Sequence, residues 1–536
     1  MKKHLNKIII SLIAFSIGLS SCNDFLSETL PDQFDVNSYY STDEEAVKGL
    51  YGLYAAVRTV VFGREYVSMT DLMSDDMDFR STDQARRSLN NYTYDNRNRY
   101  FSNAWASFYN VIGTANLLID KTEQMERPTI SADQNANMII AEAKFMRAWA
   151  YYQLVQLWGK VPLVTKPVYD FRKDEIKPVR AEVDSVYAQI LRDLKDAEIL
   201  NDNPHQVILR TDITYKMTIT RSAVKLMQAK TYLLMKDHEK CIDAVKYLVI
   251  DRFSEDGSGR FALLDNFFLL FDVAEKANPL RKKEIIWEIE SKAQTGYNNI
   301  SHREFAPSTA ISVVKTTGYQ NYVPSTSLFE VFSKQPSDKR YTSIYRISGA
   351  SPCIMKKVDY LTSDQNTAGP NEVLLRFADA VLIYAEALNA TGEVTEAAKW
   401  INLVRNRAGL IKKIGTITTG DIRPTIGQQR MQDTIIFERR LEFAHEGHRL
   451  FDLRRTGKLV ASIQKYNADL DRYLQLLNMT FATSKEITMS NQTATQLKVP
   501  FVEVRKQLDS RILLHPIPGD EIFSNPNLLP NNPGYY

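Results

Sequence analysis

The chain has 536 residues, 67 Lys and Arg against 64 Asp and Glu, 44% hydrophobic residues and three cysteines. That length is enough to bury a large core and to carry two lobes. The near balance of charge removes the electrostatic reason to expect nucleic acid as a partner, and three cysteines are too few for a disulfide framework.

Lys2, Lys3 and Lys7 precede an apolar run, Ile8 to Leu19, which closes with Ser20, Ser21 and Cys22. The run is too short to cross a hydrocarbon core and reads as a secretory signal over residues 1–21. A cysteine directly after small residues looks like a bacterial lipobox, which implies cleavage before Cys22 and acylation of Cys22. Anchoring by more than one acyl chain is stable. Loss of 1–21 removes three lysines and no acid, leaving 64 basic and 64 acidic residues. Residues 22–40 are then a lipidated tether and 41–536 the folded part. No later run is long and apolar enough to cross a bilayer. Cys241 and Cys353 could pair, but small buried thiols are the expected state.

Helical spacing dominates the rest. From Ser102, the residues Trp105, Phe108, Tyr109, Ile112 and Leu117 recur every three to four positions, and from Asn137 so do Ile140, Ala143, Phe145, Ala148, Tyr151, Leu154 and Leu157, up to Gly159. These predict a helical hairpin. Arg221 to Ile250 repeats the pattern with a break at Lys236-Asp237, and Leu374 to Gly409 repeats it with a turn at Thr391-Gly392. Pairs of about 34 residues with small residues at their contacts are tetratricopeptide-like. The copies are scattered, so a continuous regular solenoid is not predicted. The scaffold is placed mainly at 102–250 and 371–460. Residues 60–100 and the loop-rich 251–370 break the rhythm, and binding chemistry is expected there first.

His445-Glu446-Gly447-His448 suggests half of a zinc-protease motif, but the histidines stand at i, i+3 rather than i, i+4, and no third ligand cluster accompanies them. Around them Glu438, Arg439, Arg440, Glu442, Glu446, Arg449, Asp452, Arg454 and Arg455 interleave with Leu441, Phe443, Leu450, Phe451 and Leu453. An apolar stripe flanked by paired charges would fix a bend between helices. The sequence has no G-x-S-x-G elbow, no phosphate-cradling loop and no complete G-x-G-x-x-G, so no catalytic centre is expected.

Four long stretches, 141–165, 374–410, 438–459 and 514–535, follow the lipobox in an order that resembles the SusD/RagB family of outer-membrane lipoproteins of Bacteroidota. Within it, Glu446, Gly447, His448 and Arg449 match a Glu-Gly-His-Arg element that marks the fold. The resemblance implies a mainly α-helical, SusD-like protein with tetratricopeptide-like helix pairs on one side and an irregular lobe with few short strands opposite. It implies a non-catalytic function, the capture of an oligosaccharide, or in some relatives peptides, at the cell surface. Delivery to a SusC-like TonB-dependent transporter beneath would follow, the protein acting as a hinged lid. A contrasting reading is a periplasmic tetratricopeptide-like scaffold that binds protein partners.

Sugars present apolar CH faces and hydroxyl rims, so a binder needs aromatic platforms edged by carboxylate, amide or guanidinium groups. Trp105, Trp149, Trp158 and Trp400 lie on helix stripes and Trp287 in a strand-like run, which leaves the tyrosines. Tyr92, Tyr94 and Tyr100, with Arg97 among them, are one candidate group. Tyr297, Asn299, Tyr319 and Tyr322 are the other. Each tyrosine has a plain alternative, packing at a loop base, and a few are expected to face a pocket. Asp75 and Asp76 are candidates to accept sugar hydroxyls. As calcium ligands they lack a spaced set, so no cofactor is expected.

Overall fold

Apolar residues spaced three to four apart become helices wherever a polar cap starts them. The computed structural model describes residues 40–126, 130–169, 176–202, 218–254, 257–292, 302–307, 318–348, 351–357, 369–414, 417–476, 486–488, 502–504 and 506–535. The signal sequence, Cys22 and the tether up to residue 39 lie outside the described residues, as do Tyr297 and Asn299. No helix among the described residues is long and apolar enough to cross a membrane.

The first pair is Arg99–Gln124 and Ile130–Trp158. It begins three residues before Ser102 because the Asn98 side chain accepts from Tyr100 N and caps the helix there. Trp105, Phe108, Phe145, Trp149 and Trp158 are buried between its helices and their neighbours. Helix Asp43–Phe62, started by a Thr42/Glu45 capping box, lies against both helices, and Tyr54 donates to the buried Glu142.

The second pair, Arg221–Met235 and His238–Val249, turns at Lys236, which takes a left-handed conformation at φ 60°. Asp237 then caps the next helix through Lys240 N. Cys241 is a buried free thiol in this helix. The third pair, Phe377–Ala390 and Val394–Arg407, turns at Thr391-Gly392. Helix Val183–Asp196 bridges the first and second pairs, and His238–Val249 packs on Phe377–Ala390. The pairs that are scattered in sequence are thus stacked in space. The interruption at 251–370 separates them only along the chain.

Strands among the described residues are short and occur in antiparallel twos. Ile285–Ile289 pairs with Glu372–Arg376 and ties the two ends of the irregular lobe together. Met77–Phe79 pairs with Tyr322–Pro324 and joins the 60–100 segment to that lobe. The chain end returns to the first pair. His515 lies 5.3 Å from the Phe101 ring and 5.8 Å from Trp158, and Trp158 Nε1 donates to Pro516 O at 2.9 Å. Asn532 Nδ2 donates to the carbonyls of Trp158 and His515 at 2.8 and 2.7 Å.

The alternating charges at 438–455 do mark a bend, between helices Gln428–Glu442 and Arg449–Arg455, with His445 and Gly447 both at positive φ. Unlike the flanks of a surface stripe, however, most of these charges are buried. Arg376 binds Glu284, Glu442 and Glu446 at 3.0, 2.6 and 2.8 Å. Arg340 binds Asp338, Glu438 and Glu442 at 2.8, 2.7 and 3.1 Å, and Arg407 also reaches Glu442. Burial alone would raise the carboxyl groups of Glu442 and Glu446. The surrounding cations overcome it and hold Glu442 far below the usual range and Glu446 at about 2. Burial pulls Lys356, which binds Glu446 at 2.7 Å, down to about 8.

Candidate functional site

Residues 70–79, Thr-Asp-Leu-Met-Ser-Asp-Asp-Met-Asp-Phe, belong to the segment where binding chemistry is expected from the sequence, yet all ten are buried. Each acid has a partner. Asp71 accepts Gly447 N at 3.0 Å, Asp75 is bound by Arg449 at 2.7 and 2.9 Å, Asp76 by Arg440 at 2.6 Å, and Asp78 by Tyr466 Oη at 2.6 Å. Gly447 is required at this approach, since its φ of 78° disfavours any side chain. Burial would raise Asp75, but Arg440 and Arg449 drive it well below the ordinary carboxylate range. Burial and the charge of Asp75 push Asp76 up. Desolvation likewise raises Asp71 to about 7. The expectation that Asp75 and Asp76 face a ligand therefore gives way to a structural role, because their oxygens serve buried guanidinium groups.

Three of the first group of tyrosines are also interior. Tyr92 takes φ 57° at a helix end and donates to Met73 O at 2.5 Å. Tyr94 stacks on Tyr535 at 6.2 Å and meets the edge of Phe101 at 5.0 Å. Tyr100 donates to Asp83 at 3.2 Å and is flanked by Arg86 and Arg99. Arg97 is exposed. Tyr322 is 1% exposed, hydrogen-bonded with Ser68 Oγ at 2.8 Å and packed on Phe79 and Phe305. These rings present no platform to solvent in this structure, because packed neighbours cover them, for Tyr94 and Tyr322 from distant parts of the chain.

The two histidines are engaged separately. His445 Nε2 pairs with Tyr345 Oη at 2.7 Å, while His448 stacks on Phe443 at 4.5 Å. Burial keeps both neutral, His448 down to about 3.

Tyr319 is different, being 51% exposed. Its backbone is fixed by a ladder onto helix His302–Phe305 and its end. Gly318 N donates to Pro307 O, Tyr319 N to Arg303 O, Gln320 N to Ala306 O and Asn321 N to Glu304 O, all at 2.7–2.9 Å. Gly318 is needed here for close approach, since a Cβ would lie 2.2 Å from Arg303 O. Gln320 takes φ 45°, and across this reversal Tyr319 is exposed while Tyr322 is buried. Arg303 lies 5.1 Å from the Tyr319 ring centre and donates to its hydroxyl at 3.2 Å. Beneath, buried Glu304 accepts from Arg64 at 2.6 Å, Arg86 at 2.8 Å and Asn321 at 2.6 Å. The result is a fixed aromatic surface with the Arg303 guanidinium against it, a combination that suits a sugar ring and its hydroxyls. Two adjoining clefts of about 420 and 520 Å³ share Tyr109, Val164 and Val168, but their walls are mainly apolar and offer fewer such partners.

Two family models match the chain, one described as "SusD family" over residues 350–535 and one as "Starch-binding associating with outer membrane" over residues 25–233. A SusD-like protein P2 of Formosa agariphila is 27% identical, the alignment covering 99% of this chain and all of that protein. A SusD-like protein of Bacteroides ovatus is 26% identical over 66% of this chain and 65% of its own length. Among solved structures, a laminarin-binding SusD-like protein shares the fold with a TM-score of 0.69 at 22% identity, covering 92% of this chain and 100% of its own. A SusD homologue of Bacteroides thetaiotaomicron gives 0.72 at 19% identity over 93% and 98%.

Proposed function

Since the chain belongs to the SusD/RagB family, we propose that it is a surface lipoprotein which captures a glycan and delivers it to a SusC-like TonB-dependent transporter. Glycan binding and association with the outer membrane agree with the description of the family model matched by its N-terminal half. Acylation at Cys22 would tether the protein, and the ligand would be passed on unchanged, with no cofactor in the reading.

The observation that carries this proposal is the Tyr319 face. The ring is half accessible, on a backbone held by four main-chain hydrogen bonds, and it stays outside a core that buries most of its aromatic neighbours, with Arg303 packed against it. Its rigidity lowers the ordering cost of a ligand that stacks on it. Exposed aromatic residues supported by fixed polar partners are a recurrent way to bind sugars without chemistry on them.

The test is calorimetric titration of the purified full chain in detergent against a glycan panel, with a peptide digest in parallel. The parent should release heat with a glycan, and Tyr319→Ala should lose it while melting at the parent temperature. Heat with peptides alone would replace the glycan reading with a peptide-binding one. Co-purification of a TonB-dependent transporter, and shaving of the protein from intact cells by added protease, check the partner and the exposure.

A further inference from the structure

Away from the Tyr319 face, all three helix pairs meet the bend around a small interior space. Helix Ile130–Trp158 brings Tyr152 and Gln153 to it, helix Arg221–Met235 brings Lys230, helix Phe377–Ala390 brings Ile383, and the bend brings His448 and Asp452. These residues and their neighbours line a narrow chamber of about 50 Å³. A second space of about 10 Å³, beside Asp71 and Glu372, shares Tyr66, Glu446 and Gly447 with the first. The charged groups of the larger chamber are already paired. Lys230 is bound to Asp379, Arg439 to Asp379 and to Asp452 at 2.8 Å each, and Arg455 to Asp452 at 2.7 Å. Glu446 is bound by Lys356 and Arg376 at 2.7 and 2.8 Å. The neutral polar groups differ. Gln153 is 6% exposed, and its Oε1 has no hydrogen-bond partner among the described residues. Tyr152 is equally buried, and neither its hydroxyl nor that of half-buried Tyr66 is hydrogen-bonded to another described residue. Interior polar groups without a partner are rare and costly.

We propose that this chamber is a binding site for water, a fixed cluster of a few molecules held by Gln153, Tyr152 and Tyr66 that joins the three helix pairs to the bend. A buried water needs about 10–15 Å³ of such space and two to four polar partners. The larger chamber meets both needs for a few waters, and the smaller one has room for one at most. A sugar or a peptide segment needs space of the order of the surface clefts, about 420 and 520 Å³. An added ion would meet charges that already neutralise one another. Water both donates and accepts, as do an amide and a phenol, so it completes these groups without adding charge to the seam. The cluster is separate from the glycan face and acts on the scaffold, since it fills the junction between helices that are scattered along the chain.

The experiment joins a crystal structure of the full chain, at a resolution that shows ordered water, with urea unfolding of two variants of similar shape, Tyr152→Phe and Gln153→Met. Density for a few waters is expected in the chamber, within hydrogen-bonding distance of Gln153 and Tyr152. Each variant should raise the unfolding equilibrium constant about fivefold, as loss of one hydrogen-bonding partner implies. The double variant should lose less than the two single changes together, because both remove partners of one cluster. A dry chamber predicts the opposite sign. Each change would then delete a polar group that had no partner, and stability would stay level or rise. Level or raised stability in both variants would overturn the proposal, and so would a chamber without water density or one closed by a direct bond from Gln153 to the protein. Strictly additive losses would overturn the single shared cluster. The crystal structure of the parent decides the matter even where a variant fails to fold.

Discussion

Replacing Arg449 by Met removes one partner of a buried ion pair and keeps the apolar stem. Arg449 Nε and Nη2 lie 2.7 and 2.9 Å from the two oxygens of Asp75, and both residues are buried. After the change Asp75 keeps only the longer contact to Arg440, at 3.4 Å. Removing one member of such a pair costs about 3–5 kcal/mol, because the other charge stays in a poor solvent. Unfolding by urea, followed through the tryptophan fluorescence, should show a loss of that size. The pH dependence has a definite sign. The folded carboxyl of Asp75 lies below its unfolded value, so its stabilisation is present above about pH 4 and disappears as the pH falls. Arg449→Met should therefore be less sensitive to acid than the parent over that range. In the double variant with Asp75→Asn, part of the loss should return, since the stranded charge is gone. Glycan affinity of the folded Arg449→Met protein should match the parent. Parent-like stability of Arg449→Met would falsify this reasoning, and loss of ligand by a fully stable Asp75→Asn protein would return Asp75 to the binding site.

Three further outcomes follow from the geometry. Gly318→Ala should cost about 1–3 kcal/mol by overpacking against Arg303 O, and it should also weaken glycan binding by displacing Tyr319, both measurable by melting and calorimetry. Asp71, raised to about 7, destabilises the fold progressively as the pH rises from about 4 to 7; Asp71→Asn can still accept from Gly447 N, so its denaturant midpoint should change less over that window. Asn532→Ala deprives the carbonyls of Trp158 and His515 of a buried donor and should lower stability by about 1–3 kcal/mol, seen as a lower denaturant midpoint with glycan affinity unchanged.

The helix pairs could be read from the sequence because their information is local: apolar residues at three to four residue steps, a small residue at a contact, a capping Asn98 or Asp237. The role of 438–455 was half legible. Alternating charge suggested a bend, but nothing local shows that Arg440 and Arg449 reach Asp76 and Asp75 more than 360 residues away, or that Arg340, Arg376 and Arg407 converge on Glu442. For the same reason, the acids of "MSDDMDF" and the tyrosines of "NYTYDNRNRY" read as groups free to meet a ligand. Polar residues look exposed in a sequence until their partners are known, and here the partners come from the other end of the chain. Tyr319 and Tyr322 are three residues apart with similar neighbours, yet the positive φ at Gln320 and the ladder to 302–307 put one outside and one inside. Sequence alone grouped them; main-chain geometry separates them.

The return of the last residues onto the first helix pair bears on timing. The chain is made from its N-terminus, so the pair 99–158 exists long before His515 and Asn532 emerge. Until then the indole of Trp158 lacks its acceptor, Pro516 O, and its carbonyl lacks Asn532. The scaffold thus closes only once residues 514–535 are present, and a product cut short after residue 510 would expose an aromatic cluster at the base of its scaffold. Such a fragment would be a ready substrate for proteases, so the segment 514–535 shields the scaffold from cleavage as well as holding it together.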